Sequence, residues 1–254
     1  MSEHLSELNA ALGRFHREGG TGNRLVVSRG PAWFVLNSGR GEPQARCHAA
    51  TQKLLGDELR ITPDGVVALR MAGFARAPQE RALSRHLDIA TEQQRAELPG
   101  LFQSWLDAVY GLDESHETHV SLSLGERPVL ENERVHQAIR VLAKNRTAAA
   151  RQAVYRALLK AHLSLVVDAA GEPAPFGSLQ GSHTYAVFTS VAEADLSDPR
   201  GHNTEVLPGW AIFPRLHALT PGSLQINPDG RLGGELYRNE IEALANAAAN
   251  YRPR

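Results

Sequence analysis

The chain has 254 residues, 42% hydrophobic and 22% charged, a composition that excludes a disordered polyelectrolyte and suits two globular domains of about 100–150 residues each. Its 27 basic and 28 acidic residues leave a formal net charge of −1, with 14 basic and 16 acidic groups over residues 1–127 and 13 and 12 over the rest. Without a basic stripe to neutralise phosphates a nucleic-acid partner is not expected, and no run approaches the ~20 apolar residues of a membrane span.

Residues 4–18 read as a helix, because Leu5, Leu8, Leu12 and Phe15 form one apolar stripe. Gly19-Gly20-Thr21-Gly22-Asn23 ends it. Strands are expected over Arg24–Ser28 and Ala32–Ser38, around the turn Arg29-Gly30-Pro31, with weaker candidates at Arg46–Thr51 and Leu59–Thr62. Pro63-Asp64-Gly65 reads as a turn before a further strand, Val66–Met71, making a hairpin. Helices are expected over Pro78–Ile89 and Glu92–Tyr110, the second broken or kinked at Pro99. His119–Leu124 alternates like a half-buried strand.

Gly125-Glu126-Arg127-Pro128 is the expected boundary, giving domains 1–127 and 128–254. Two helices follow, lined by Val135, Ile139 and Leu142 and by Val154, Leu158 and Leu159, with Thr147 as the second N-cap. Leu163–Val167, Tyr185–Phe188 and Ser223–Ile226 read as core strands. Ser190 caps a short helix through Ala194, with Glu193 in the capping-box position. A loop over Ser197–Thr204 leads to apolar segments at Trp210–Phe213 and Leu216–Leu219, and a last helix covers about Asn239 to Ala249. The fold class is α+β to α/β: a helix–antiparallel meander–helix domain, then a small mixed sheet flanked by helices.

Tests for chemistry yield little. His116-Glu117-Thr118-His119, with Asp113 and Glu114 nearby, spaces its histidines three apart rather than the four that bring two ligands onto one helix face. Cys47 and His48 are neighbours on a strand and point to opposite faces, so they do not pair. Gly19 through Gly22 follow a helix and precede a strand, the reverse of a phosphate-cradling loop. There is no Gly-x-Ser-x-Gly elbow. No metal and no cofactor are expected. His162, His183, His202 and His217 are candidates for convergence in the second domain.

The series Tyr185-Ala186-Val187-Phe188-Thr189-Ser190, then Trp210 through Leu219, then Ser223-Leu224-Gln225-Ile226-Asn227-Pro228, then Glu240-Ile241-Glu242-Ala243-Leu244 resembles the N-terminal domain of the bacterial SseB family. Asn132–Leu142, Ala149–Leu159 and Leu163–Val167 fit the same pattern. The resemblance covers about half the chain, over residues ~130–248, and here another domain precedes it. The family is associated with a serine-sensitivity phenotype, and the resemblance implies no catalytic residue set. An unrelated helical component of type III secretion shares the name, and interleaved strands separate this chain from it. The first half is similar in outline to YbjN-like and secretion-chaperone-like domains, an analogy of fold alone.

The expected function is a non-catalytic cytoplasmic bacterial adaptor or regulator that binds a protein partner. A single cysteine and an acidic, polar N-terminus favour that compartment. Trp210 and Phe213 are the expected anchors beside the Asn227-Pro228 turn, with Thr189, Ser190 and Asn227 as polar rim. One alternative is a small-ligand protein or enzyme, with Thr189, His183, His217 and Asn227 converging at strand ends. A second is a chaperone-like first domain presenting its meander face to a client.

Overall fold

The computed structural model describes residues 3–76, 81–112, 115–126, 130, 132–179, 181–230 and 232–251. Asp113, Glu114, Arg127, Pro128 and the start of the expected helix at Pro78 lie outside the described residues. The chain divides into two compact units, residues 1–127 and 128–254.

The first unit runs α1 (Glu3–Arg17), β1 (Asn23–Arg29), β2 (Ala32–Ser38), β3 (Gln44–Ala49), α2 (Gln52–Leu55), α3 (Pro63–Met71), β4 (Leu83–Asp88), α4 (Glu92–Tyr110) and β5 (Thr118–Ser123). The strands make one antiparallel sheet in the order β4-β3-β2-β1-β5. The register puts Leu25, Val27, Phe34, Leu36, Cys47 and Ala49 on one face. That face packs with Leu8, Leu12 and Phe15 of α1 and with Leu98, Phe102 and Trp105 of α4. Phe34 sits at the centre, its ring 5.5 Å from Trp105, 5.7 Å from Phe102 and Tyr110, and 5.8 Å from Phe74.

Several elements differ from expectation here. Leu59–Thr62 is not a strand, and Pro63-Asp64-Gly65 is the first turn of α3 rather than a hairpin turn. Thr62 caps that helix by accepting from the Gly65 amide at 3.1 Å, and Pro63 sits where its missing amide costs nothing. A Cβ on Gly65 would come within 2.2 Å of the Val109 carbonyl oxygen, so the glycine serves close packing of α3 on α4. Leu83–Asp88 is strand β4 rather than helix; a Leu83/Leu87 spacing of four fits either period, and pairing with β3 decides. Helix α4 runs unbroken through Pro99, which is buried in it.

The second unit runs α5 (Glu133–Asn145), α6 (Ala148–Lys160), β6 (His162–Val166), β7 (Gly177–Leu179), β8 (Ser182–Phe188), α7 (Val191–Ser197), β9 (Thr204–Pro208), α8 (Gly209–Ala218), β10 (Ser223–Ile226), β11 (Gly234–Tyr237) and α9 (Arg238–Ala249). Thr147 and Ser190 cap α6 and α7 as expected, each accepting an amide bond at 3.2 Å. The sheet order is β11-β10-β8-β6-β9, with β7 also on β8; β8 and β10 are parallel and the other pairings antiparallel. The mixed sheet flanked by helices and the α+β class are therefore present.

One sheet face, Leu163, Leu165, Tyr185, Val187, Leu224 and Ile226, is buried with residues of α5, α6, α8 and α9. On the other, Phe188 packs with Phe176, and His202 stacks on it at 5.2 Å and 14°. Two differences arise. The segment before Trp210 contains strand β9, and Trp210–Phe213 belongs to helix α8 despite Pro214, which is exposed on the outer side of that helix. Gly209 starts α8 against α6, where a Cβ would lie 2.0 Å from the Leu158 carbonyl oxygen.

Candidate functional site

Parallel strands β8 and β10 end side by side, and adjacent parallel strands in such sheets commonly form a ligand crevice beyond their carboxyl ends. Thr189 leaves β8 at that point and Asn227 leaves β10. Asn227 adopts the left-handed conformation, φ +48°, that asparagine tolerates and most residues do not. Its Oδ1 accepts from the Thr189 amide at 2.8 Å, and its Nδ2 donates to Thr189 Oγ1 and to the Leu232 carbonyl, both at 2.8 Å.

Helix α5 closes the same end. Asn132, just before the helix, donates from Nδ2 to the His162 carbonyl at 2.7 Å and the Thr189 carbonyl at 2.8 Å. His136 Nε2 lies 2.7 Å from Thr189 Oγ1, and its Nδ1 is 3.8 Å from a Glu133 carboxylate oxygen. The Thr189 hydroxyl accepts from Asn227 and also bonds His136 Nε2, in the direction that the imidazole tautomer sets.

A hydroxyl on an imidazole backed by a carboxylate has the outline of an activated nucleophile. The surroundings do not suit it to that role. Thr189 is 0% exposed and Asn227 1%, so the hydroxyl faces no space for a reacting atom. Four side chains close the crevice with bonds to one another and to backbone carbonyls. Such a satisfied network fixes the joining of β6, β8, β10 and α5.

The other expected site residues fall in different places. Phe213 is fully buried among the helices, and Pro228 is also buried, so neither presents a contact surface. Trp210 is 36% exposed in the first turn of α8. Ser190 is half-buried with its hydroxyl accepting from the α7 amide. The depression beside the Asn227-Pro228 turn is lined by Gln225, Asp229, Gly230, Gly233 and Glu235 among others, and neither Trp210 nor Phe213 reaches it. The apolar groove expected there is therefore a polar hollow.

The histidines do not converge. His183 stands near the start of β8, about 20 Å along the strand from Thr189. His217, in the last turn of α8, is exposed, while His202 stacks on Phe188. In the first unit Cys47 and His48 take opposite sheet faces, and burial pushes the Cys47 thiol well above its ordinary range. His119 Nε2 is 3.9 Å from a Glu117 oxygen on an exposed strand end. Among the described residues the exposed large hydrophobics of the first unit are Val67, Met71 and Leu101, none of them on the meander strands offered for a client.

Asn132 and His136 were absent from the expected set. One helical turn apart, they meet Thr189 only through residues 57 and 53 positions distant, and no local spacing announces that.

Among the described residues no helix is long and apolar enough to cross a membrane. No curated protein and no solved structure matches the chain. Residues 135–243 match the family model described as the SseB protein N-terminal domain. The matched stretch begins in α5, ends in α9 and takes in every strand of the second sheet, with His136, Thr189 and Asn227 inside it. Through its second unit, the chain carries a domain of the SseB N-terminal family.

Proposed function

We propose that this chain is a non-catalytic adaptor of the bacterial cytoplasm, which binds another protein through its SseB-type domain. Trp210 carries the reading. A tryptophan 36% exposed, in the first turn of α8 directly after edge strand β9, is a ready interface anchor. Among the described residues strand β9 has a ladder partner on one side only, and Val206 on it is 38% exposed. An open edge flanked by exposed apolar side chains is the surface that strand-adding partners use. The filled crevice at Thr189 supports the non-catalytic part of the reading.

The test is a parallel affinity capture from the source organism with wild type, a Trp210→Ala/Val206→Lys double variant and a Met71→Ala control. The expected result is a defined partner retained by wild type and control and lost by the double variant. An identical set of captured proteins in all three would overturn the proposal.

A further inference from the structure

The first unit contains a cavity of about 170 Å³ that the reading above does not use. Leu5 and Leu8 of α1, Val27 of β1, and Pro99, Phe102 and Leu106 of α4 give it apolar walls. His4, Gln103, His116, Glu117 and Thr118 supply its polar margin, and Arg29 lines it from the end of β1.

Arg29 is unusual in its setting. Its side chain is only 5% exposed, and two of its three guanidinium nitrogens are bonded. Nε donates to Thr118 Oγ1 at 2.9 Å, and Nη1 donates to Asp107 Oδ1 and the Leu112 carbonyl, both at 2.7 Å. Nη2 carries none of these bonds and has no partner among the described residues, and Arg29 is one of the residues lining the cavity. The paired Asp107 is 44% exposed, and its hydrated carboxylate offsets a buried cation only partly. Glu117, the acidic group at the margin, is more exposed still and lies beside His119.

We propose that this cavity binds a small monocarboxylate with an apolar body of about six carbons, its carboxylate accepting from Arg29 Nη2. The size follows from volume, since an apolar protein cavity of about 150 Å³ accommodates benzene. The headgroup follows from the donor: a rigidly held, charged guanidinium nitrogen bonds carboxylate oxygens better than neutral acceptors. The site is independent of the partner surface on the second unit.

Benzoate is the probe, titrated into the isotope-labelled full chain and followed by amide chemical shifts. Saturable shifts are expected at Leu5, Leu8, Val27, Arg29, Leu106 and Thr118, with benzyl alcohol at least about tenfold weaker. Arg29→Gln also removes internal bonds and risks unfolding the unit. Leu5→Trp, which fills the cavity from a half-buried helix position and leaves the Arg29 bonds intact, is therefore the discriminating variant. It should abolish the benzoate shifts without lowering Tm. The proposal is overturned by no saturable shift up to about 20 mM benzoate, by equal affinity for the alcohol, or by benzoate binding that survives Leu5→Trp.

Discussion

Asn227 holds Thr189 by two bonds at once, accepting from its amide and donating to its hydroxyl, each at 2.8 Å. Asn227→Ala removes both, leaves the Leu232 carbonyl without this donor, and places alanine at φ +48°. Buried groups left unpaired cost about 1–3 kcal/mol each, so a loss of at least about 3 kcal/mol is expected in urea unfolding. Asn227→Gly should recover about 1 kcal/mol of that by relieving the backbone alone. Equal stability of wild type and Asn227→Ala would show that the pair does not brace the sheet.

The two aromatics of α8 should separate cleanly. Phe213→Ala empties a fully buried site and should destabilise by about 3–5 kcal/mol. Trp210→Ala should cost about 1 kcal/mol while abolishing partner capture. Denaturant midpoints for both variants, beside the capture assay, check the split. A Trp210→Ala protein as unstable as Phe213→Ala would make Trp210 a packing residue.

Those two residues also mark what the sequence disclosed. The Leu8, Leu12 and Phe15 stripe of α1 and the Ser190 and Thr147 caps were legible because each rests on a spacing of three or four residues. Pro63-Asp64-Gly65 misled because the same residue types open a helix or turn a hairpin, and only the Thr62 side-chain bond separates the cases. Pro214 hid α8 because a proline argues against a helix whose buried positions otherwise have helical spacing. Arg29 gave no signal, since its three bonded partners stand 78 to 89 positions away.

Cys47 should be inert in the folded chain. It is fully buried, and burial pushes its thiol far toward the protonated form, with Arg85 opposing only in part. A disulfide reagent should label it at least about 100-fold more slowly in native buffer than in urea. Rapid labelling under native conditions would show that the β3 region opens readily.

Tyr155 predicts an alkaline effect of defined sign. Burial, and then its hydrogen bond to Glu240, push the phenol up to about 12. Unfolded, it loses its proton near the ordinary ~10, so between about 10 and 12 the unfolded state holds fewer protons and stability falls as pH rises. Below that window the contribution is fully present. Urea unfolding at about pH 9 and about pH 11 should show a smaller wild-type advantage over Tyr155→Phe at the higher pH. A constant difference would contradict the raised phenol. Because burial also raises Cys47 and Tyr110, the comparison of the two proteins, rather than the wild-type slope, isolates Tyr155.

The closure around Thr189 has a kinetic side. Its bonds join residues 38, 53 and 57 positions apart, and Asn132 reaches a further 30 to the His162 carbonyl. Such contacts form only after several loops have closed, so they are expected after the folding transition state rather than within it, and their variants should speed unfolding more than they slow folding in stopped-flow rates. Side chains added that late set how slowly the native state opens more than how fast it is reached. On that expectation the four polar groups that fill the crevice are a latch on the lifetime of the folded domain.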